Sequence, residues 1–185
     1  MAAMKSKVDL KDIFGDLSSV MFQISEIDLA GETPAIAPEF DLPVEVDTLT
    51  VSQGDPNINH YKIIGLAGDW FSTSEVGDPN IEFTVPTKNT DVLKLAFGDD
   101  AVKAVTGATF NGGTYAGNAL NPQKHRVTGS VVLADANKEN LMIISNAVLY
   151  ATPVYDNAST KPFCVKFTGG WEVGDKPVIA FLKKG

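Results

Sequence analysis

RVTGSVVLADANKENLMIISNAVLYATPV, residues 126–154, is the stretch whose reading decides the fold. Its first part, Arg126 to Ala134, places Val127, Val131 and Leu133 on one face at the two-residue period of a strand. Asp135-Ala136-Asn137-Lys138-Glu139-Asn140 then interrupts the apolar pattern with residues that favour turns through side-chain bonds to their own backbone. Leu141 to Val154 resumes it as a long strand. Its longest apolar run, Leu141-Met142-Ile143-Ile144, is far too short to cross a bilayer.

The same grammar extends in both directions. Downstream, a polar loop at Tyr155–Pro162 leads to a strand at Phe163–Val173, with Phe163, Val165 and Phe167 on one face. Gly174-Asp175-Lys176-Pro177 turns the chain into a last strand at Val178–Leu182. Upstream, Gly107–Gly117 is rich in Gly and Thr and reads as a strand, or as a loop that includes one. Before it lies a helix. Asn89 or Thr90 caps it, and Asp91 suits its positive end. Val92, Leu95 and Ala96 share a face that Leu93 and Phe97 extend, and Gly98 is a stop. Asp99 or Asp100 restarts a short turn through Val105. Ile81-Glu82-Phe83-Thr84-Val85-Pro86 alternates cleanly, and Trp70-Phe71 is expected to pair with it across a tip at Glu75–Asn80. Residues 44–51 and 60–66 are expected strands about the turn Gln53–Asn57, and Val20–Ile27 is a strand with Val20, Phe22 and Ile24 on one face. Short strands at regular spacing predict a mainly β chain. The expected form is a β-sandwich or barrel of two antiparallel sheets with one flanking α-helix at about 90–105, in a single domain spanning 1–185.

Two segments read as extended arms. In the N-terminal arm, 1–18, Leu10, Ile13, Phe14 and Leu17 fall at helical spacing, which Gly15 weakens; a short amphipathic turn there needs a partner surface. The proline-rich loop arm, 30–43, carries Pro34, Pro38 and Pro43 together with Ile36, Phe40 and Leu42. Proline removes ladder donors, so this arm is no central strand. Its apolar side chains either lie back on their own domain or dock on a neighbour. The candidate inter-subunit contacts are therefore Pro34, Ile36, Pro38, Phe40, Leu42, Ile13 and Phe14.

Chemistry is hard to find. His60 and His125 each stand alone, and Cys164 reads as a small core residue. No HExxH, CxxC, Walker or G-x-S-x-G motif occurs, and Gly112-Gly113 lacks the strand-then-helix context of a phosphate loop. The carboxylate pairs Asp99-Asp100, Glu75/Asp78 and Glu45/Asp47 read as solvated faces. Asp55-Pro56-Asn57 and Asp156-Asn157 offer oxygen ligands without the spacing of a calcium loop. Trp70-Phe71 and Trp171 suggest a sugar platform, although aromatics at strand ends are usually core. The expectation is no enzyme, no cofactor and no metal, with a soluble carbohydrate- or calcium-binding sandwich as the alternative. The net charge of −8 argues against wrapping a phosphate backbone. Met1 to Lys11 holds no apolar signal core, so synthesis in the cytoplasm and no membrane association are expected.

One resemblance gives these features a direction. Thr48-Leu49-Thr50-Val51-Ser52-Gln53-Gly54-Asp55-Pro56, Gly68-Asp69-Trp70-Phe71, Asn80-Ile81-Glu82-Phe83-Thr84-Val85-Pro86 and Val92-Leu93-Lys94-Leu95-Ala96-Phe97-Gly98 follow in order. A strand ending in proline and followed closely by a helix ending in Phe-Gly resembles the tail tube (major tail) proteins of long-tailed bacteriophages. It is more distantly similar to the tube protein of type VI secretion systems. The likeness covers roughly 45–105 in detail and the rest in element order. It implies a structural subunit, without catalytic residues, whose hexameric rings stack into a hollow tube in the virion. The implied partners are further copies and other tail proteins. DNA would pass through the lumen without specific binding, and an acidic lumen would not trap it. An arm such as 30–43, or the N-terminal 8–18 segment, would bridge to the next ring.

Overall fold

The computed structural model describes residues 7–8, 11–157 and 161–185. In chain order the elements are β1 (Leu17–Gln23), β2 (Phe40–Leu42), β3 (Thr50–Gln53), β4 (Asn57–Tyr61), β5 (Phe71–Glu75) and β6 (Pro79–Val85). Then come α1 (Thr90–Phe97), a 3-10 turn at Asp99–Ala101, β7 (Val102–Phe110), β8 (Gly113–Leu120), β9 (Val127–Asp135), β10 (Asn140–Val154), β11 (Cys164–Trp171) and β12 (Ile179–Lys183). The architecture is mainly β with one flanking helix, and every strand pairing is antiparallel.

Eight strands form the main sheet, in the order β2-β1-β9-β10-β11-β6-β3, with β12 also on β10. The deciding stretch lies at its middle. Val131 pairs with Ile144, Val132 with Ile143 and Leu133 with Met142. The turn between β9 and β10 is built around Asp135, whose carboxylate accepts bonds from the Glu139 backbone N–H at 2.8 Å and the Asn140 side-chain amide at 2.6 Å. The Asn140 bond, with further backbone bonds, holds the Asp135 carboxyl below its ordinary pKa.

β10 serves two partners on one side. Its first part, Asn140 to Ile144, pairs with β12, and its second, Ala147 to Val154, with β11. The register of β9–β10 shifts between Ile144 and Ala147, and Asn146 sits there at φ 52°. This bulge moves the inward phase by one residue, so that Ile144 and then Ala147 and Leu149 enter the same core.

That core fills one face of the curled sheet. Strands from both ends of the order, Val20 and Phe22 at one and Ile81, Phe83 and Val85 at the other, meet in it. The Phe83 and Phe167 rings stack with centroids 5.0 Å apart. Asn89 caps α1, its side-chain oxygen accepting from the Asp91 N–H at 2.8 Å. The helix lays Val92, Leu93, Ala96 and Phe97 against this core, while Leu95 is only half-buried.

The reverse face has its own smaller cluster of Ile27, Val132 and Ile143, with Ile36, Leu141 and Leu182 packed around it. Hydrogen bonds pin its cover. The Ile27 N–H donates to Ser130 Oγ at 2.9 Å, Ser145 Oγ donates to the Ile27 carbonyl at 2.7 Å, and the Ala37 N–H donates to Gln23 Oε1 at 2.7 Å. The proline-rich arm thus lies back on its own domain. Its end is β2, where Leu42 pairs with Val20 and Phe40 with Phe22.

Several local expectations are corrected. The helical stripe at 10–17 does not form in its described part: residues 11–16 have no regular structure, and Leu17 opens β1 against Asp135. Leu10 lies outside the described residues. Gly15 and the positive φ of Asp16 oppose a helix there. Ile24 falls just past β1 and is exposed. The strand ends where the backbone crowds Gly129, at which a Cβ would collide with the Gln23 carbonyl oxygen. Residues 44–51 and 60–66 do not pair. β3 joins β6, and β4 joins β5. Nor does Phe71 pair with Ile81–Pro86, because the core-facing Ile81, Phe83 and Val85 take β6 into the main sheet beside β11. Helical backbone ends at Ala101, and Val102–Val105, expected as its last residues, begin β7. Gly107–Gly117 is two strands. Asn111 and Gly112, with φ of 46° and 75°, make the positive-φ turn that suits a two-residue hairpin.

Candidate interaction surface

Two hairpins stand outside the main sheet. In the first, β4–β5, every strand residue is exposed. It carries Ile58, Tyr61 and Phe71, and the loop between its strands adds Ile63, Ile64, Leu66 and Trp70, all exposed. The loop is tied at its base. His60 Nδ1 and Asp69 Oδ2 are 2.5 Å apart, the Trp70 N–H donates to the Tyr61 carbonyl at 2.7 Å, and the Tyr61 and Phe71 rings lie 5.3 Å apart. Gly65 and Gly68, at φ 87° and 132°, supply the reversal that L side chains resist.

The second hairpin, β7–β8, is rooted by buried Val102, and every later residue of β7 is exposed. From Val102 to Leu120 it holds a single charged residue, Lys103, and is rich in Gly, Ala and Thr. Val105, Phe110 and Tyr115 are exposed on it. Proteins commonly guard free strand edges with charge, proline or a cover. This hairpin has none of these beyond Lys103, apart from a register shift between Val105 and Ala108. Two-stranded hairpins are marginal alone in water, and a third strand or an apolar partner stabilises them.

The anticipated contact residues fare differently. Leu42 is buried in the core, Phe14 and Phe40 pack partly against it, and Ile36 belongs to the reverse-face cluster. Pro34 and Pro38 are half-buried, and Ile13 alone of the set is well exposed, at 67%. The anticipated site thus spends most of its apolar surface at home. The structure adds Ile58, Tyr61, Ile63, Ile64, Leu66, Phe110 and Tyr115 as exposed apolar residues that were not among the anticipated contacts, beside Trp70, which the sequence singled out as a binding residue only in a sugar platform. The Asn111-Gly112 pair and the dearth of charge around it were the available signals.

The ionisable groups do not gather. Among the described residues no three of His, Cys, Asp and Glu are placed to hold a metal ion. Glu45 is engaged by Lys161 at 3.2 Å, and Asp99 lies 3.7 Å from Lys94. Cys164 is buried, its thiol toward the Pro162 carbonyl. Trp171 is core, as strand-end aromatics usually are, but Trp70 and Phe71 are not. No helix among the described residues is long and apolar enough to cross a membrane.

Fold and surface together define a curled antiparallel sheet from which two hairpins project, one apolar and one nearly uncharged. No family model, curated protein or solved structure matches the chain.

Proposed function

We propose that this chain is a structural subunit that assembles with copies of itself into rings, hexameric in the family it resembles, which stack as the hollow tail tube of a bacteriophage. The observation that carries the reading is the pair of hairpins whose strand residues, apart from buried Val102 and half-buried Gly113 and Leu120, lie in solvent. Apolar side chains on projecting ladders are costly in water and gain by meeting a second surface. A contact between unlike surfaces of identical chains closes into a ring or continues as a filament, and a stacked tube uses both. The net charge of −8 suits a passage through which DNA slides without being held. Other tail proteins are the partners at the tube's ends, and the mature location is the virion.

Light scattering and negative-stain microscopy of the purified chain test this. Rings or tubes are the expected result. A monodisperse monomer at every concentration and salt condition overturns it.

A further inference from the structure

The loop between β4 and β5 is an apolar knob with no seat among the described residues of its own chain. Ile64 is 105% exposed, and Ile63 and Leu66 are 39% and 49% exposed. Yet the knob is held in shape by the His60–Asp69 contact and the Trp70–Tyr61 backbone bond at its base. Ordering a loop before it binds lowers the cost of binding.

A groove with an apolar strip lies elsewhere on the same chain. The groove, between α1 and the start of β9, has a volume of about 800 Å³; Ile24, Phe40, Leu95 and Val127 form the apolar strip in a lining whose other residues, apart from Gly98, are polar or charged. Val127 is buried, Phe40 and Leu95 are half-buried, and Ile24 stands open to solvent. Such dimensions accept several aliphatic side chains.

The charges bordering the two features agree. Lys62 precedes the knob and makes no ion pair among the described residues. Of the groove's charged residues, Lys94 is paired with Asp99 and Arg126 with Glu172, which leaves Asp91 and Glu39 without an ion pair among the described residues. Opposite charges beside an apolar insertion fix its orientation more than its strength.

We infer that Ile63, Ile64 and Leu66 of one copy seat in the α1–β9 groove of a second copy, with Lys62 facing Asp91. The inference rests on the assembly reading above and names the contact within it. Knob and groove are different surfaces, so the contact is heterologous and propagates from subunit to subunit.

Two single variants of the full chain test it, Ile64→Cys on the knob and Thr128→Cys on the groove. Both positions are exposed, and the native Cys164 is buried. A short flexible bis-maleimide added to an equimolar mixture is expected to give covalent dimers at least tenfold above either variant alone. Ile64→Asp in the otherwise native chain is expected to reduce assembly at least tenfold by light scattering while leaving its circular dichroism unchanged. Dimers from Ile64→Cys alone mean that knobs meet knobs and overturn the inference. Assembly that survives Ile64→Asp, without mixed dimers, also overturns it while leaving the assembly reading intact. An unmodified chain that never assembles overturns both.

Discussion

The β9–β10 pair and the β7–β8 pair are both antiparallel ladders of long strands, yet they stand in opposite relations to water. In β9, Val131 and Val132 point to opposite faces and both are buried, one in each cluster. In β7, Lys103 to Phe110 are exposed on both faces. Ladder hydrogen bonds alone contribute modestly to stability, because water offers the same bonds to the unfolded chain. Burial of side chains is what makes the first pair a foundation. The second pair has the hydrogen bonds without the burial, and on the assembly reading proposed above that difference makes it a surface for a partner.

The largest expected effect falls on the foundation. Phe83→Ala removes one of two stacked, fully buried rings and should lower unfolding free energy by about 3–5 kcal/mol, read by urea denaturation. A loss well under 1 kcal/mol would mean that the core is not packed as described. Gly129→Ala comes next, at about 1–3 kcal/mol, since the new methyl group must displace the Gln23 carbonyl. On the other side of the comparison, Trp70→Ser should leave the stability of the monomer within about 0.5 kcal/mol while weakening assembly. A large drop in monomer stability would show that Trp70 is seated on its own chain.

A subtler test uses pH. Because the folded-state pKa of Asp135 is depressed, the unfolded chain takes up this proton first as pH falls. The stability Asp135 contributes is therefore complete above the ordinary carboxylate range and is lost as pH falls through the depressed value. Urea midpoints between about pH 6 and pH 3 should show the native chain losing its advantage over Asp135→Asn as acidity rises. A constant difference between the two would remove the carboxylate's charge from the account.

How far the sequence could be read follows the same division. Val127, Val131 and Leu133, and Ile81, Phe83 and Val85, announce their strands because each lines a buried face. Asn89 announces its helix because a cap is a local device. The projecting strands were blurred, since a strand with no buried side has no reason to alternate. Gly107–Gly117 shows this: only Asn111-Gly112 betrays the turn inside it. The described part of the stripe, 11–17, erred the other way, its spacing losing to pairing of Leu17 with Asp135. In the proline-rich arm, the residue types allowed docking at home or on a neighbour. The reverse-face cluster decided it, because Ile27, Val132 and Ile143 also required a cover.

The pairing of β1 with β9 has a temporal consequence. Ser18 reaches the Asp135 carbonyl at 2.7 Å across 117 residues of chain. A ribosome releases about 5–20 residues per second, so Val20 and Phe22 wait several seconds for the strand that shelters them. During that interval β4–β5 and β7–β8, which need only their own neighbours, can already close. The parts that face outward thus have all their ladder partners in hand before the body that carries them, although alone in water such hairpins are marginal.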